Sequence, residues 1–280
     1  VLCRNARMYT DLFIERSELK DYKNGEKVVA VFKSWDDNRD SPSGIIIKSL
    51  GIPGEKETEI HAILHDYGLP YEFPKKIEEA ASKISTTLDI SEIKSRRDFR
   101  ETLTFTIDPK SAKDFDDALS FKILANGDYE IGIHIADVSY YVQPGTSLDQ
   151  EAYERATSVY LVDRVVPMLP EVLSNGLCSL RPKEDKFTFS SVFIINNKGE
   201  VKEEWYGRTI INSDFRFSYE EVQNVLETQK EEVDAFASLT KVSYKIPRPV
   251  FNAINILDKQ AKILRLKRMK NGAISFDRVE

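Results

Sequence analysis

The chain has 280 residues and a mass of 32.1 kDa, a length that indicates about two domains, and 41% of its residues are hydrophobic, enough for a sizeable core. Its 40 basic and 46 acidic side chains leave a net charge of -6, which excludes a globally basic nucleic-acid coat but allows a local basic cleft. No apolar run approaches the roughly 20 residues of a membrane span, and two cysteines exclude a disulfide framework, so we expect a soluble, cytoplasmic protein with no membrane partner.

Residues 1–62 are predicted to form the first domain, built of short strands separated by turns. The runs at 28–32 and 44–47 are rich in β-branched residues, and an Asn-Gly dipeptide before the first run is typical of a turn. Polar residues and a proline at 35–43 predict a loop between the two strands. This spacing indicates a small β-barrel of the OB type, with any other small antiparallel sheet as the alternative.

Residues 63–100 are predicted to be a helical connector. Apolar residues recur three and four positions apart at 59–67, and Gly68 follows as a helix stop. Pro74 then precedes a second helical pattern at 75–84. We therefore expect helices between the first domain and the strands that begin after residue 100.

Residues 101–280 are predicted to be a second domain of strands and helices, which makes the chain a mixed α+β protein. An Asn-Gly dipeptide between two strand patterns is a strong hairpin signal. Ser218 opens a capping-box pattern, and a longer amphipathic helix is expected over about residues 250–270. The predicted strands lie at 103–107, 118–123, 129–135, 186–196 and 201–206.

Four aspartates lie within ten residues between two of these strands: Asp108, Asp114, Asp116 and Asp117. Asp108 ends one strand, Pro109 forces the chain away from it, and Asp117 reopens the next, so the loop can gather side chains from both of its ends. Gathered carboxylates repel one another unless a cation lies between them, and Mg²⁺ binds such oxygens together with waters and substrate phosphates. Two such ions would stabilise an in-line phosphodiester displacement. A solvated acidic turn is the alternative.

Three ordered motifs carry a family resemblance. They are the aspartate-rich stretch at 108–118, the sequence HIADVS at 134–139, and Tyr160 followed by PMLP at 167–170 and LCSLRP at 177–182. In this order they resemble the catalytic signature of the ribonuclease II/R family, also called the RNB family, and especially its bacterial ribonuclease R branch. The first domain resembles the second cold-shock domain of that family. The fold implied is an OB-type cold-shock barrel, a helical connector and the N-terminal part of an RNB catalytic domain.

The resemblance implies a processive, Mg²⁺-dependent hydrolase, with Mn²⁺ as an alternative ion. Its substrate would be single-stranded RNA with a free 3′ end, degraded to nucleoside 5′-monophosphates, and we expect a monomer. Asp108, Asp114 and Asp117 resemble the metal ligands of a two-metal site, and Asp116 matches the aspartate on which catalysis depends most. Tyr160 matches an aromatic residue that stacks on the terminal base, a contact that accepts any base.

A second hypothesis is a non-catalytic RNA-binding module of the same architecture, and a third is a structural cation site. The intact set of four aspartates argues against the second hypothesis, because a degenerate relative would be free to lose one of them. The sequence lacks matches to the family's later blocks, with their arginine and second aromatic clamp, and to its S1 and first cold-shock domains. Together with a first residue other than methionine and an alternating run at 274–280, this predicts a piece of a longer polypeptide, incomplete for activity.

Other candidate residues are mostly predicted to be structural. His134 lies in a strand, which favours a hydrogen-bonded core histidine. His61 and His65 are one helical turn apart but lack the HExxH pattern of a zinc site. Cys178 is expected to be a packed small residue. For Arg181, a phosphate contact and a structural ion pair are both open.

Overall fold

The computed structural model describes residues 1–3, 9–19, 21–36 and 39–274. Residues 37 and 38 of the predicted loop, and residues 275–280 of the predicted closing run, lie outside these ranges. Contacts divide the chain into two units, the first being Val1–Pro74 with Glu154–Met168 and the second Lys75–Tyr153 with Leu169–Glu280. The domain boundaries predicted after residues 62 and 100 stay predictions.

Strands and helices occur in both units. The strands are β1 Lys27–Ser34, β2 Ser43–Gly51, β3 Arg97–Asp98, β4 Thr104–Asp108, β5 Asp117–Ile123, β6 Tyr129–Ala136, β7 Val159–Tyr160, β8 Val165–Val166, β9 Asp185–Ile195, β10 Val201–Asn212, β11 Phe215–Ser218, β12 Glu232–Val233 and β13 Tyr244–Lys245. The helices are α1 Lys56–Asp66, α2 Lys75–Ser82, α3 Ile90–Ser95, α4 Val138–Tyr141, α5 Ser147–Arg155, α6 Tyr219–Thr228 and α7 Arg248–Lys270, with a 3-10 turn at Arg16–Leu19 and a π-helical turn at Val172–Leu177. Within the described ranges, none of the helices combines the length and the apolar character of a membrane span.

The predicted mixed α+β class is confirmed, and so are its local signals. The predicted strands at 28–32 and 129–135 lie inside β1 and β6. The Asn-Gly dipeptide joins β5 to β6, with Gly127 at φ 83°, a left-handed conformation that glycine adopts without steric cost. Ser218 Oγ accepts from the Glu221 amide while the Glu221 carboxylate accepts from the Ser218 amide, so the predicted capping box begins α6.

In the first unit, β1 and β2 form a two-stranded antiparallel sheet whose small buried core contains Leu12, Ile14 and Ile46. Gly51 at the end of β2 has φ 109° and approaches α1 so closely that a Cβ there would lie 2.5 Å from Thr58 Oγ1. β7 and β8 form a separate two-stranded sheet. Within the described part of this unit, the two sheets do not join into a closed barrel, so the OB-type barrel stays a prediction.

Hydrogen bonds tie the segment at 154–168 to the rest of the first unit. Arg164 donates two bonds, of 2.7 and 2.6 Å, to the carboxylate of Glu57 on α1. Arg155 donates to the backbone carbonyls of Pro70 and Glu72. These contacts explain why a segment far along the sequence belongs to the same unit as the β1–β2 sheet.

The second unit is built on a seven-stranded sheet with the strand order β11-β4-β5-β6-β9-β10-β3. The two edge strands pair parallel with their neighbours, and all other neighbouring strands pair antiparallel. β4 and β5 are therefore adjacent, and the aspartate-rich loop joins them at one end of the sheet.

One face of this sheet packs against α6 and α7. Phe121 and Ile131 of the sheet share a buried apolar cluster with Val225 of α6 and with Val250 and Ile254 of α7. Burial of each apolar side chain of this size contributes about 1.5–3 kcal/mol to the stability of the fold. Because side chains alternate along a strand, neighbouring residues of β5 and β6 point to the opposite face.

The opposite face holds the fully buried His134. Its Nδ1 lies 2.6 Å from Ser190 Oγ, its Nε2 lies 2.8 Å from Ser120 Oγ, and the Phe99 ring packs edge-on against it at 5.0 Å. Burial, with a smaller effect of the Arg97 charge, lowers the pKa of His134 from 6.5 to about 4. The imidazole is therefore neutral at pH 7, and the predicted structural role of this histidine is confirmed.

We expect acid to destabilise the protein through His134. Because its pKa is 6.5 unfolded and about 4 folded, the unfolded state binds more protons between these values, and stability falls as the pH drops through this window. Between about pH 7 and about pH 4.5 this histidine should cost about 2–3 kcal/mol of the free energy of unfolding. Denaturant titrations of the protein and of His134→Gln at both pH values measure the difference. Equal acid losses in both proteins would contradict the assignment.

Candidate active site

The four aspartates lie on the segment that leads from β4 into β5, at one end of the seven-stranded sheet. Asp108 is the last residue of β4 and Asp117 is the first residue of its antiparallel neighbour β5. Asp114 and Asp116 lie in the loop just before β5, and the Asp116 carbonyl accepts from the Ala136 amide at 3.0 Å, which continues the pairing of β5 with β6. The strand pairing thus places Asp108 and Asp117, from the two ends of one loop, at the same end of the sheet.

Burial, with a smaller effect of neighbouring negative charges, raises the pKa of two of these carboxylates. Burial raises the pKa of Asp108, and the charges of Asp117 and Asp116 add to this effect, whereas the neighbouring Thr106 hydroxyl and the Arg216 charge oppose it. Desolvation also raises the pKa of Asp116, with further contributions from Asp114 and Asp117. Since like charges disfavour ionisation, the arrangement favours either protonation or a cation between the side chains.

Asp108 has an unsatisfied buried oxygen. The residue is 7% exposed, and its Oδ2 has no hydrogen-bond partner among the described residues. A buried carboxylate oxygen without a partner is costly, and an oxygen-only donor set of this kind fits a hard divalent cation such as Mg²⁺. In the described ranges, no three His, Cys, Asp or Glu side chains are placed so that they could bind one metal ion together. A cation bound here would therefore take much of its shell from water or substrate.

Arg216 of β11 holds the loop from one side. Its Nη2 donates to the carbonyls of Pro109, Lys110 and Ala112 at 3.3, 3.0 and 3.4 Å. Its guanidinium also lies over the Phe115 ring, 4.9 Å from the centroid. The parallel pairing of β11 with β4 brings this arginine, more than a hundred residues along the chain, beside the loop.

Ser179 holds the loop from another side, and Cys178 packs beside it. The fully buried Ser179 Oγ accepts from the Phe115 amide and donates to the Lys113 carbonyl, both at 3.1 Å. The Leu180 amide donates to the Phe115 carbonyl at 2.8 Å. Burial raises the pKa of the Cys178 thiol to about 12, so this cysteine is a packed small residue, as predicted, and not a thiolate nucleophile.

Tyr160 lies on β7 in the first unit, whereas the four aspartates belong to the second. Its side chain is 67% exposed, so the ring is accessible to a ligand. The role predicted for Tyr160 stays a prediction.

His61 and His65 both contact the ring of Tyr71. His61 stacks on Tyr71 with centroids 4.3 Å apart, and His65 meets the same ring edge-on at 5.6 Å. Arg181 donates to the Asn175 carbonyl, so a backbone group holds its guanidinium, and the two alternatives for this residue, a phosphate contact and an ion pair, both stay open.

Sequence reasoning missed the two residues that position the loop. Ser179 lies within one of the motifs that carried the family resemblance, so its place in that motif was a usable signal. Arg216 had no such signal, because its partners are backbone carbonyls and its position depends on the pairing of β11 with β4. Contacts of this kind have no local sequence pattern.

Two family models match the chain. A model described as RNB domain matches residues 96–280, and one described as Cold shock domain matches residues 1–74. DIS3-like exonuclease 2 of Xenopus tropicalis is 39% identical over 249 residues, which cover 88% of this chain and 30% of that protein. Ribonuclease R of Aquifex aeolicus is 35% identical over 266 residues, which cover 95% of this chain and 36% of that protein. The chain thus spans about a third of the length of these curated relatives.

A solved structure is similar over nearly the whole chain. RNase R of Mycoplasma genitalium in complex with double-stranded RNA matches with a TM-score of 0.84 and 26% sequence identity. The match covers 97% of this chain and 46% of that chain. Sequence and structure comparisons therefore both relate this chain to proteins named ribonuclease R or RNase R.

We expect Arg216→Gln to loosen the aspartate loop. Losing the bonds to three carbonyls should lower the free energy of unfolding by about 1–3 kcal/mol and speed amide hydrogen exchange in residues 109–116. Denaturant titration and exchange mass spectrometry measure both effects. Arg248→Gln is the matched control, because Arg248 is exposed and its ion pair with Glu231 is long, at 3.7 Å, and therefore weak. The free energy of unfolding of this variant should change by no more than about 0.5 kcal/mol. Unchanged exchange in the loop of Arg216→Gln would show that Arg216 does not position it.

Proposed function

The chain belongs to the RNB domain family, as its motifs predicted, and from this premise we propose that it is part of a 3′-to-5′ hydrolytic exoribonuclease of the ribonuclease R type. The proposed substrate is single-stranded RNA with a free 3′ end, and the proposed products are nucleoside 5′-monophosphates, released processively. The observation that carries the proposal is the buried, unpartnered Oδ2 of Asp108 among three further carboxylates of one loop. Similarity to proteins named ribonuclease R and DIS3-like exonuclease 2 supports it.

Asp108, Asp114 and Asp117 are proposed to hold divalent cations, Mg²⁺ in the first place and Mn²⁺ as the alternative. Bound ions of this kind stabilise the charge on the attacking and leaving oxygens of a phosphodiester displacement. Asp108 contributes its unpartnered Oδ2, which gains a partner in this way. The ties from Arg216 and Ser179 keep the loop in place.

Asp116 is assigned the role of orienting the attacking water and accepting its proton. Desolvation and the neighbouring Asp114 and Asp117 raise its pKa, which moves this carboxylate towards the range of a useful general base. The exposed ring of Tyr160 is assigned the role of stacking on the terminal base of the RNA. Stacking accepts every base, which suits an enzyme that must degrade any sequence.

The second candidate function is a non-catalytic RNA-binding module. One observation favours it: within the described ranges, no three potential ligands form a complete metal cage. The two functions differ in one result, since the module binds RNA but releases no mononucleotides in Mg²⁺.

The cytoplasm is proposed as the place of action, with the protein as a monomer. Both cysteines are free thiols, which fits a reducing compartment.

In the full-length protein, we expect Asp116→Asn to lower the release of 5′-mononucleotides from a 3′-tailed RNA in Mg²⁺ by about 10²–10⁴-fold, because it removes the proposed proton acceptor. RNA affinity should stay within a factor of about three, since the loop keeps its shape. Turnover is measured by chromatography of the products and affinity by fluorescence anisotropy.

Two controls sharpen this test. Asp66→Asn changes an exposed aspartate in the first unit and should leave turnover unchanged. A circular RNA of the same sequence has no 3′ end and should resist degradation. Unchanged turnover in Asp116→Asn would refute its assigned role, and RNA binding without any Mg²⁺-dependent release of nucleotides would favour the non-catalytic module.

A further inference from the structure

A row of exposed side chains crosses four neighbouring strands and starts at one of the carboxylates. Asp117 of β5 pairs with Ile135 of β6, Ile135 pairs with Phe189 of β9, and Phe189 pairs with Arg208 of β10. Directly paired residues of antiparallel strands project from the same face of a sheet. Ile135 is 48% exposed and Phe189 is 50% exposed, so the row is open to solvent along its length.

The next row widens this exposed surface. Ile133 of β6 and Tyr206 of β10 both pair with Ser191 of β9, and both are exposed. We call Ile133, Ile135, Phe189 and Tyr206 the sheet patch. Further along the same face, the sheet is buried under α6 and α7, so the patch begins where this helical cover ends. Contiguous exposed apolar side chains on a sheet indicate a binding surface.

The surroundings of the sheet patch favour single-stranded nucleic acid over a protein segment. Two of its four side chains are aromatic, and such rings accept nucleobases by stacking. The carboxylates proposed to hold cations adjoin one edge of the patch. The cation Arg208 stands at the other edge, half-exposed and 3.5 and 3.8 Å from Glu92 and Asp137. A nucleic acid strand matches these groups, because its bases can stack on the aromatic side chains and its phosphates can approach Arg208 and the proposed cations.

We propose that Phe189 is a stacking platform for a base of the bound RNA, close to the phosphate at the carboxylate loop. This inference rests on the proposed function, because it takes the substrate to be single-stranded RNA. Two strand spacings separate Asp117 from Phe189, about 10 Å along the row. That separation suits a base held on the ring while a nearby phosphate of the same strand lies at the aspartates. Phe189 is thus a positioning residue that fixes the register of the RNA on the sheet.

The test measures RNA affinity in the Asp116→Asn background, with a fluorescein-labelled oligoadenylate. Phe189→Ala should weaken binding about tenfold, and Phe189→Trp, which keeps a larger ring, should bind at least as tightly as the parent. Phe236→Ala is the matched control, because Phe236 is 80% exposed in the same unit but lies outside the sheet patch. Its affinity for the RNA should not change. Thermal unfolding of each variant checks that the fold is intact.

A second arm replaces single bases near the 3′ end with abasic residues. If Phe189 stacks on one base, removal of that base should weaken binding by the parent about tenfold but should cause no further loss in Phe189→Ala. An equal loss in both proteins at every position would overturn the proposal. So would a loss of self-association in Phe189→Ala with unchanged RNA affinity, which would identify a protein partner. Absence of RNA binding by the parent itself would overturn the proposed function as well, so the two failures can be told apart.

Discussion

The antiparallel pairing of β4 with β5 brings Asp108 and Asp117 to the same end of the sheet, and two more aspartates follow on the loop between them. Two like charges about 4 Å apart repel by about 1 kcal/mol in water and by several times more near protein. The loop keeps its place because other groups hold its backbone: Arg216 donates to three of its carbonyls, and Ser179 bonds one amide and one carbonyl. Hydrogen bonds to the main chain of the loop thereby offset the repulsion between its carboxylate side chains.

The two faces of the seven-stranded sheet differ in how they support the aspartate-rich loop. One face is buried against α6 and α7 over part of its length and is open beside the carboxylates. The other face holds a neutral His134 between two serine hydroxyls, a polar contact that is satisfied without a charge. A satisfied polar core of this kind specifies the packing of β5, β6 and β9, and these strands fix the position of Asp117.

A net charge of -6 by itself repels a polyanion, but the location of the charges matters more than their sum. Four of the acidic side chains lie on the loop where cations are proposed to bind, and bound cations would reverse the local field. Beside this loop, the sheet patch offers apolar and aromatic side chains, whose contact with bases does not depend on the charge of the protein. An acidic chain can therefore accommodate RNA through a small number of specific contacts.

Local signals were sufficient for much of the fold. The hairpin at Gly127, the capping box at Ser218 and the aspartates at the ends of two strands each depend on residues a few positions apart, and the structure contains all of these features. Only the tertiary structure placed Arg216 on the loop and aligned Asp117 with Phe189. The first depends on the pairing of β11 with β4, and the second on two successive pairings, of β5 with β6 and of β6 with β9. The sequence by itself therefore determined which chemical groups the site contains. The order of the strands decided which side chains surround those groups, since hydrogen bonds between distant backbone segments leave no periodic pattern in the sequence.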